Sequence, residues 1–283
     1  MKLLRYGDPG AERPGLLEKD GTIRDLSGVV GDLAGETVSL ASLDALKAVE
    51  LDQLPRAKGD VRIAACLADA PNFHAIGLNY ARHAAETGLG RPDEPILFSK
   101  ATSAISGPYD PIVIPKASEK TDWEVELGVV IGQEVEHIPE TDALSCVAAY
   151  CLVNDVSERA FQIEGSGQWV KGKSAPTFGP IGPWLVTPDE AGDPQQLGLW
   201  TKINGELVQS SNTNDMIFSV AEIISYMSRF MRLRPGDIIA TGTPEGVGLG
   251  MKPPRFLKPG DVVETGIDGL GEQRCEVVAF GAA

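Results

Sequence analysis

Apolar and polar residues alternate along this chain in short stretches broken by Gly and Pro, the signature of many brief β-strands joined by tight turns. The clearest stretch is DWEVELGVVIG at 122–132. If extended, it puts Trp123, Val125, Leu127, Val129 and Ile131 on one face and sets Glu124 beside Glu126 on the other. The same pattern predicts strands at 2–6, 14–17, 22–25, 95–99, 112–114, 124–131, 149–155, 183–186, 198–203, 237–241 and 261–267. Helical spacing is confined to 40–49, 80–87, 141–145, 157–164 and 220–230. Strict βαβ alternation is absent, so the class is α+β and strand-rich, and a doubly wound parallel sheet is excluded. The 32 Gly and 20 Pro fit this reading. Lys58-Gly59-Asp60 reads as a linker between a small N-terminal domain, 1–65, and a larger domain, 66–283. Arg234–Thr243 resembles Lys258–Ile267, each a Pro-Gly turn feeding a β-branched strand; both are expected in one sheet.

Composition narrows the function classes. The 283 residues include 40 acidic and 25 basic side chains, a formal net charge of −15. That field repels nucleic acid and anionic membranes, so neither is an expected partner. No apolar run approaches the ~20 residues of a membrane span and no signal peptide is evident, so the expected location is the cytoplasm. Cys66, Cys146, Cys151 and Cys275 form no CxxC pair and read as buried free thiols.

Against that background the paired carboxylates stand out. Glu124 and Glu126 either line the exposed face of an edge strand or share a divalent cation, because neighbouring carboxylates repel when water is excluded. Asp155 ends an apolar run. It is a third candidate ligand or, with Glu158 three residues on, a helix cap. Three carboxylates without Cys or paired His point to a hard ion, Mg²⁺ or Mn²⁺. His83 and Glu86 share a helical face at i,i+3, either as an oriented general base or as a casual surface pair. Lys173 is either a surface charge or a cation for a developing enolate. Arg159, followed by Gln162 on the same expected helix, either pairs with Asp155 at i,i+4 or clamps a substrate carboxylate. The stretch TGTPEGVGLG at 241–250 lacks the ending of a P-loop, which leaves an ordinary loop or a backbone lining for a small oxyacid. His74 and His137 read as incidental.

Together these segments resemble the fumarylacetoacetate hydrolase family. The carrying motifs are Gly77-Leu78-Asn79-Tyr80 with His83 and Glu86, Asp122-Trp123-Glu124-Val125-Glu126-Leu127, Asn154-Asp155-Val156-Ser157-Glu158-Arg159, Gly172-Lys173-Ser174 and Thr241-Gly242-Thr243-Pro244, in the family's order. The resemblance implies a mixed β-roll catalytic domain after a small N-terminal domain, and a homodimer. It implies that Glu124, Glu126 and Asp155 bind Mg²⁺ or Mn²⁺. It implies that His83 and Glu86 form a catalytic dyad on a lid, and that Gln162, Lys173 and Thr243 line the substrate. The expected reaction is hydrolysis of the C3–C4 bond of a 2,4-dioxo acid to pyruvate and a second acid. The opening residues most resemble members acting on sugar-derived 2,4-diketo-3-deoxy acids of the L-rhamnonate or L-fuconate type, for which the second acid is lactate in the rhamnonate case. Decarboxylation of an oxaloacetate-type acid, or isomerisation of a 2-hydroxyhepta-2,4-diene-1,7-dioate-type acid, is the alternative.

Overall fold

The computed structural model describes residues 1–282 except 87 and 89. Two mixed sheets organise it. The larger has nine strands in the order Ile23–Asp25, Arg13–Leu17, Lys2–Tyr6, Leu185–Val186, Val147–Asn154, Val125–Ile131, Ile238–Ala240, Phe73–Gly77 and Ile96–Lys100. Its pairings are antiparallel except Ile238–Ala240 with Phe73–Gly77. The smaller sheet orders Glu206–Asn212, Gly198–Ile203, Val262–Ile267, Gly271–Val278 and Ile112–Val113. Residues 1–65 supply three strands to the larger sheet, joined to the rest where Lys2 and Leu3 pair with Val186 and Leu185.

All seven residues of Val125–Ile131 are buried, because the strand lies inside the sheet with a layer on each face. Val125, Leu127, Val129 and Ile131 pack against Val220, Ile223, Ile224 and Met227 of the helix Val220–Ser228. That helix buries its i, i+3, i+4 and i+7 positions. It begins in a capping box: Ser219 Oγ accepts from Glu222 N, and Glu222 Oε2 accepts from Ser219 N at 2.7 Å. Val130 packs on the opposite face with Phe73, Ala75, Ile238 and Ala240. The two sheets are tied by side-chain amides. Gln273 Nε2, on the smaller sheet, reaches Leu152 O, Pro180 O and Gly182 O at 3.1–3.2 Å. Gln209 accepts from Val125 N at 3.2 Å and donates to Thr243 Oγ1 at 2.9 Å.

Several expectations need correction. Trp123 does not share the apolar face of Val125. The strand starts at Val125, and Trp123 turns into a third cluster with Phe178, Val263 and Val277. The two Pro-Gly repeats enter different sheets: Ile238–Ala240 joins the nine-stranded one and Val262–Ile267 the five-stranded one. The helix expected over 157–164 is a two-residue strand, Ser157–Glu158, followed by the helix Arg159–Ile163. The helix expected over 80–87 is found as Ala81–Glu86, with Thr87 outside the described residues. Strands Phe73–Gly77, Glu206–Asn212 and Gly271–Val278 and the helix Trp169–Lys173 were not expected. The four cysteines are buried and free. Among the described residues no helix is long and apolar enough to cross a membrane.

Candidate active site

The edge-strand alternative for Glu124 and Glu126 fails, since the strand that holds Glu126 and begins just after Glu124 is flanked by Val147–Asn154 and Ile238–Ala240 and both side chains are buried. The chain pairs Asn154 with Val125, so the residue after the strand, Asp155, arrives beside them. Asp155 N donates to Glu124 O at 2.8 Å, and Glu124 N donates to Asn154 Oδ1 at 3.1 Å. One oxygen from each of Glu124, Glu126 and Asp155 lies within 4.8 Å of the others. Asp155 caps no helix. Glu158 does, accepting from Ala160 N at 3.1 Å.

Three cations meet this triad. Lys173 Nζ bridges Glu124 Oε2 at 2.5 Å and Asp155 Oδ2 at 2.7 Å, and Lys100 Nζ binds Asp155 Oδ1. Arg159 does not pair with Asp155. Its Nε donates to Asp122 Oδ2 at 2.8 Å, its Nη1 to Gln162 Oε1 at 3.0 Å, and its Nη2 lies 2.7 Å from Glu124 Oε1. The last contact is ionic and off the N–H direction, so Nη2 keeps N–H capacity that no hydrogen bond among the described residues uses. Burial pushes the Glu124 carboxyl up, but Lys173 and then Arg159 outweigh it and hold it well below the usual carboxylate range. Glu126 has no ion pair among the described residues and accepts from Gly242 N at 2.7 Å. Burial first, then Asp155 and Glu124, push its pKa far above the ordinary value. Burial also lowers Lys100, against the pull of Asp155. In Lys173 the same penalty is outweighed by Asp155 and Glu124, and its pKa rises.

Glu124, Glu126, Asp155, Arg159 and Lys173 floor a cavity of ≈ 100 Å³, also lined by His83, Gln162 and Thr243 and walled by Phe98, Ile163, Trp169, Val247 and Leu249. His83 Nδ1 lies 3.3 Å from Glu86 Oε2, and Gly246 N donates to the same carboxylate at 3.1 and 3.2 Å. Glu86 is therefore behind the histidine and not in the cavity wall. Thr243 lines the cavity while its hydroxyl donates to Val125 O at 2.9 Å and accepts from Gln209. Of the candidate residues read from sequence, His83, Lys173, Arg159, Gln162, Thr243, Glu124, Glu126 and Asp155 meet at one cavity, with Glu86 one contact behind. A larger groove, ≈ 860 Å³, lies at Met1, Leu16, Leu46 and Trp184 and holds none of them.

Lys100, Asp122, Phe98 and Trp169 were missed. Asp122 was legible in principle, being two positions before Glu124 as Glu124 is before Glu126. Lys100 and Phe98 come from an edge strand whose sequence neighbours carry no chemistry. Trp169 Cζ3 lies 2.4 Å from where a β-carbon on Gly77 would stand, so the indole seats only because residue 77 has no side chain.

Four buried carboxylates (Asp122, Glu124, Glu126 and Asp155) face three cations (Lys100, Lys173 and Arg159), an excess of one negative charge when all are ionised. A divalent cation fits this donor set. It would hold Glu126 ionised and turn the excess into one positive charge, the complement of a monoanionic acid.

A family model described as fumarylacetoacetate (FAA) hydrolase C-terminal matches residues 72–278. A Burkholderia cenocepacia protein whose name says only hydrolase is 59% identical over 274 residues, 96% of this chain and 97% of the relative. The solved fumarylacetoacetate hydrolase of Exiguobacterium antarcticum superposes with a TM-score of 0.86 at 38% identity, covering 99% of each chain. Maleylpyruvate hydrolase from Sphingobium sp. SYK-6 gives 0.83 at 31% identity over 99% of this chain and 100% of that one. The 2-hydroxyhepta-2,4-diene-1,7-dioate isomerase of Mycobacterium marinum gives 0.76 at 31%, covering 99% of each.

Proposed function

This chain belongs to the fumarylacetoacetate hydrolase family, and from that premise we propose that it hydrolyses the C3–C4 bond of a 2,4-dioxo acid to pyruvate and a second acid. The observation that carries the reading is the shared cavity, where the acidic triad, the His83–Glu86 pair and the Arg159–Gln162–Lys173 group face one small space. Maleylpyruvate, named for one structural neighbour, is itself a 2,4-dioxo acid. The apolar walls suit a short, methyl-ended C4 substituent. The L-rhamnonate-derived 2,4-diketo-3-deoxy acid meets that condition and would yield pyruvate and lactate.

Glu124, Glu126 and Asp155 would hold Mg²⁺ or Mn²⁺. The ion supplies Lewis acidity toward the 2-oxo acid end of the substrate. The chain's own residues do the rest. Arg159, fixed at Nε and Nη1, offers its remaining N–H capacity to the substrate carboxylate. Glu86 orients His83 through Nδ1, and the other ring nitrogen takes a proton from water as the water oxygen bonds to C4. Gln162 and Lys173 stabilise the oxyanion at C4. The oxyanion then collapses, the C3–C4 bond breaks, and its electron pair goes to C3 as the enolate of pyruvate. The proton held by His83 returns to C3. Water is consumed, and pyruvate and the second acid leave.

A panel of 2,4-dioxo acids, sugar-derived and acyl, incubated with Mg²⁺ and assayed for pyruvate tests this. Release from the methyl-ended members is the expected result. No pyruvate from any member would sink the hydrolase reading. Carbon dioxide release or double-bond migration would install the decarboxylase or isomerase in its place.

A further inference from the structure

Asp122 takes no part in the chemistry above, yet two parts of the site meet on it. Its carboxylate is fully buried. Oδ1 accepts from Gly248 N at 2.7 Å and Trp123 N at 2.9 Å; Oδ2 accepts from Leu249 N at 3.0 Å and Arg159 Nε at 2.8 Å. All four partners are donors, so the pocket fits an ionised carboxylate and no isosteric amide. The Arg159 partner leads to the cavity, because that guanidinium also touches Glu124 and Gln162.

The Gly248 and Leu249 partners lead to His83. Two residues before Gly248, the Gly246 N–H holds both oxygens of Glu86. On the other side, a β-carbon at Gly250 would stand 2.4 Å from Glu86 Cδ, so the Glu86 side chain lies directly against that position. Gly248 is as tightly placed: a β-carbon there would fall 1.9 Å from Arg255 O. The loop is thus gripped by Glu86 from outside and by Asp122 from inside, with no slack between.

We propose that Asp122 is a positioning residue that couples the docking of the helix Ala81–Glu86 to the aim of Arg159 at the substrate carboxylate. The inference rests on reading the cavity as a 2-oxo acid site. When Glu86 seats on Gly246, the backbone at 248–249 is fixed. That backbone fixes Asp122, and Asp122 fixes Nε of Arg159, so that with Nη1 held by Gln162 the N–H capacity left for ligand is that of Nη2. A substrate clamped by Arg159 pulls on the same contacts in reverse, so binding and docking strengthen each other.

The test is a double-mutant cycle read by calorimetry, with oxalate as the probe and Mg²⁺ present. Arg82→Ala weakens docking at the surface, where Arg82 Nη1 meets Glu245 Oε1 at 3.3 Å, and touches nothing in the cavity. In the wild-type background it is expected to weaken oxalate binding roughly 5-fold, and in an Asp122→Asn background by less than about 2-fold. Asp122→Asn alone should raise KM more than it lowers kcat, because its effect passes through the carboxylate clamp. If Asp122→Asn does not fold, Arg159→Lys replaces it in the cycle, since an ammonium lacks the planar fork through which Asp122 can set the direction of a second N–H group. Equal Arg82→Ala factors in both backgrounds overturn the coupling. If wild-type protein neither binds oxalate nor cleaves any 2,4-dioxo acid, the underlying reading falls and this inference falls with it.

Discussion

Gly77→Ala is a one-carbon change that probes how Lys173 is held. Gly77 ends an edge-proximal strand directly under Trp169, and its φ lies outside the left-handed region, so alanine strains no backbone there. The new β-carbon would stand 2.4 Å from Trp169 Cζ3 and 2.8 Å from Cη2. Carbon atoms in contact prefer roughly 3.5–4.0 Å, so the indole must retreat by about 1 Å. Trp169 cannot retreat alone. Its ring meets the edge of Phe98 with centroids 5.2 Å apart, and it opens the helix that carries Lys173 one turn on. Overpacking of this kind costs about 1–3 kcal/mol. At about 2–4 °C per kcal/mol for a chain of this size, Tm should drop by roughly 2–12 °C. The catalytic effect should be larger. Lys173 Nζ bridges Glu124 and Asp155 at 2.5 and 2.7 Å, and a misplacement of about 1 Å is worth roughly 10²-fold in rate. The assays are a thermal melt and pyruvate release. An unchanged Tm with unchanged kcat/KM would refute the clash. A lower Tm with full kcat would refute the mechanical link from Trp169 to Lys173.

Other outcomes follow from the same geometry. His83→Ala should leave divalent-cation affinity intact while turnover falls by roughly 10²-fold or more, as for loss of a general base; unchanged turnover would remove His83 from the mechanism. Glu126→Ala should abolish Mg²⁺ binding measured by calorimetry, and retained affinity would count against the ligand set. His74 is buried, neither ring nitrogen has a hydrogen-bond partner among the described residues, and burial lowers its pKa below 6.5, partly opposed by Asp237. As pH falls through 6.5 the unfolded chain takes this proton first, so stability present above 6.5 is lost toward acid, at no more than about 1.4 kcal/mol per pH unit. His74→Leu should therefore shrink the difference in Tm between neutral and mildly acidic buffer; an unchanged difference would show that His74 is not titrating.

The strand-rich class was legible in the sequence, and so was the oddity of the Glu124–Glu126 pair, because neighbouring carboxylates in an apolar stretch are costly unless something offsets them; Asp155 joined them only through the family resemblance. The strand Val125–Ile131 is equally plain from its run of branched residues. Phe73–Gly77 was missed because its five residues, one of them a His, show no period. Gly271–Val278 was missed because its buried alternation of Gln273, Cys275 and Val277 includes a Gln, which does not read as core. The helix Trp169–Lys173 is a single turn in a Gly-rich stretch, held by the Trp169–Phe98 contact, a tertiary cause that local propensity does not contain. The true partner of Arg159 was hidden for the same reason. The i,i+4 rule offered Asp155, whereas the fold brings Asp122 from 37 residues away.

The interior position of Val125–Ile131 has an evolutionary side. Glu126 of the floor sits on this strand, where both cores bear on the backbone, and Glu124 comes directly before it. The cavity walls have another origin. Leu78 follows one strand, Ile163 and Trp169 sit on two one-turn helices, and Val247 and Leu249 belong to a loop. These segments lie outside the sheet strand that carries the floor. A lineage can thus inherit one ionic floor unchanged and acquire new substrates by rewriting a handful of loop and helix positions, and a laboratory seeking altered scope should randomise those segments first.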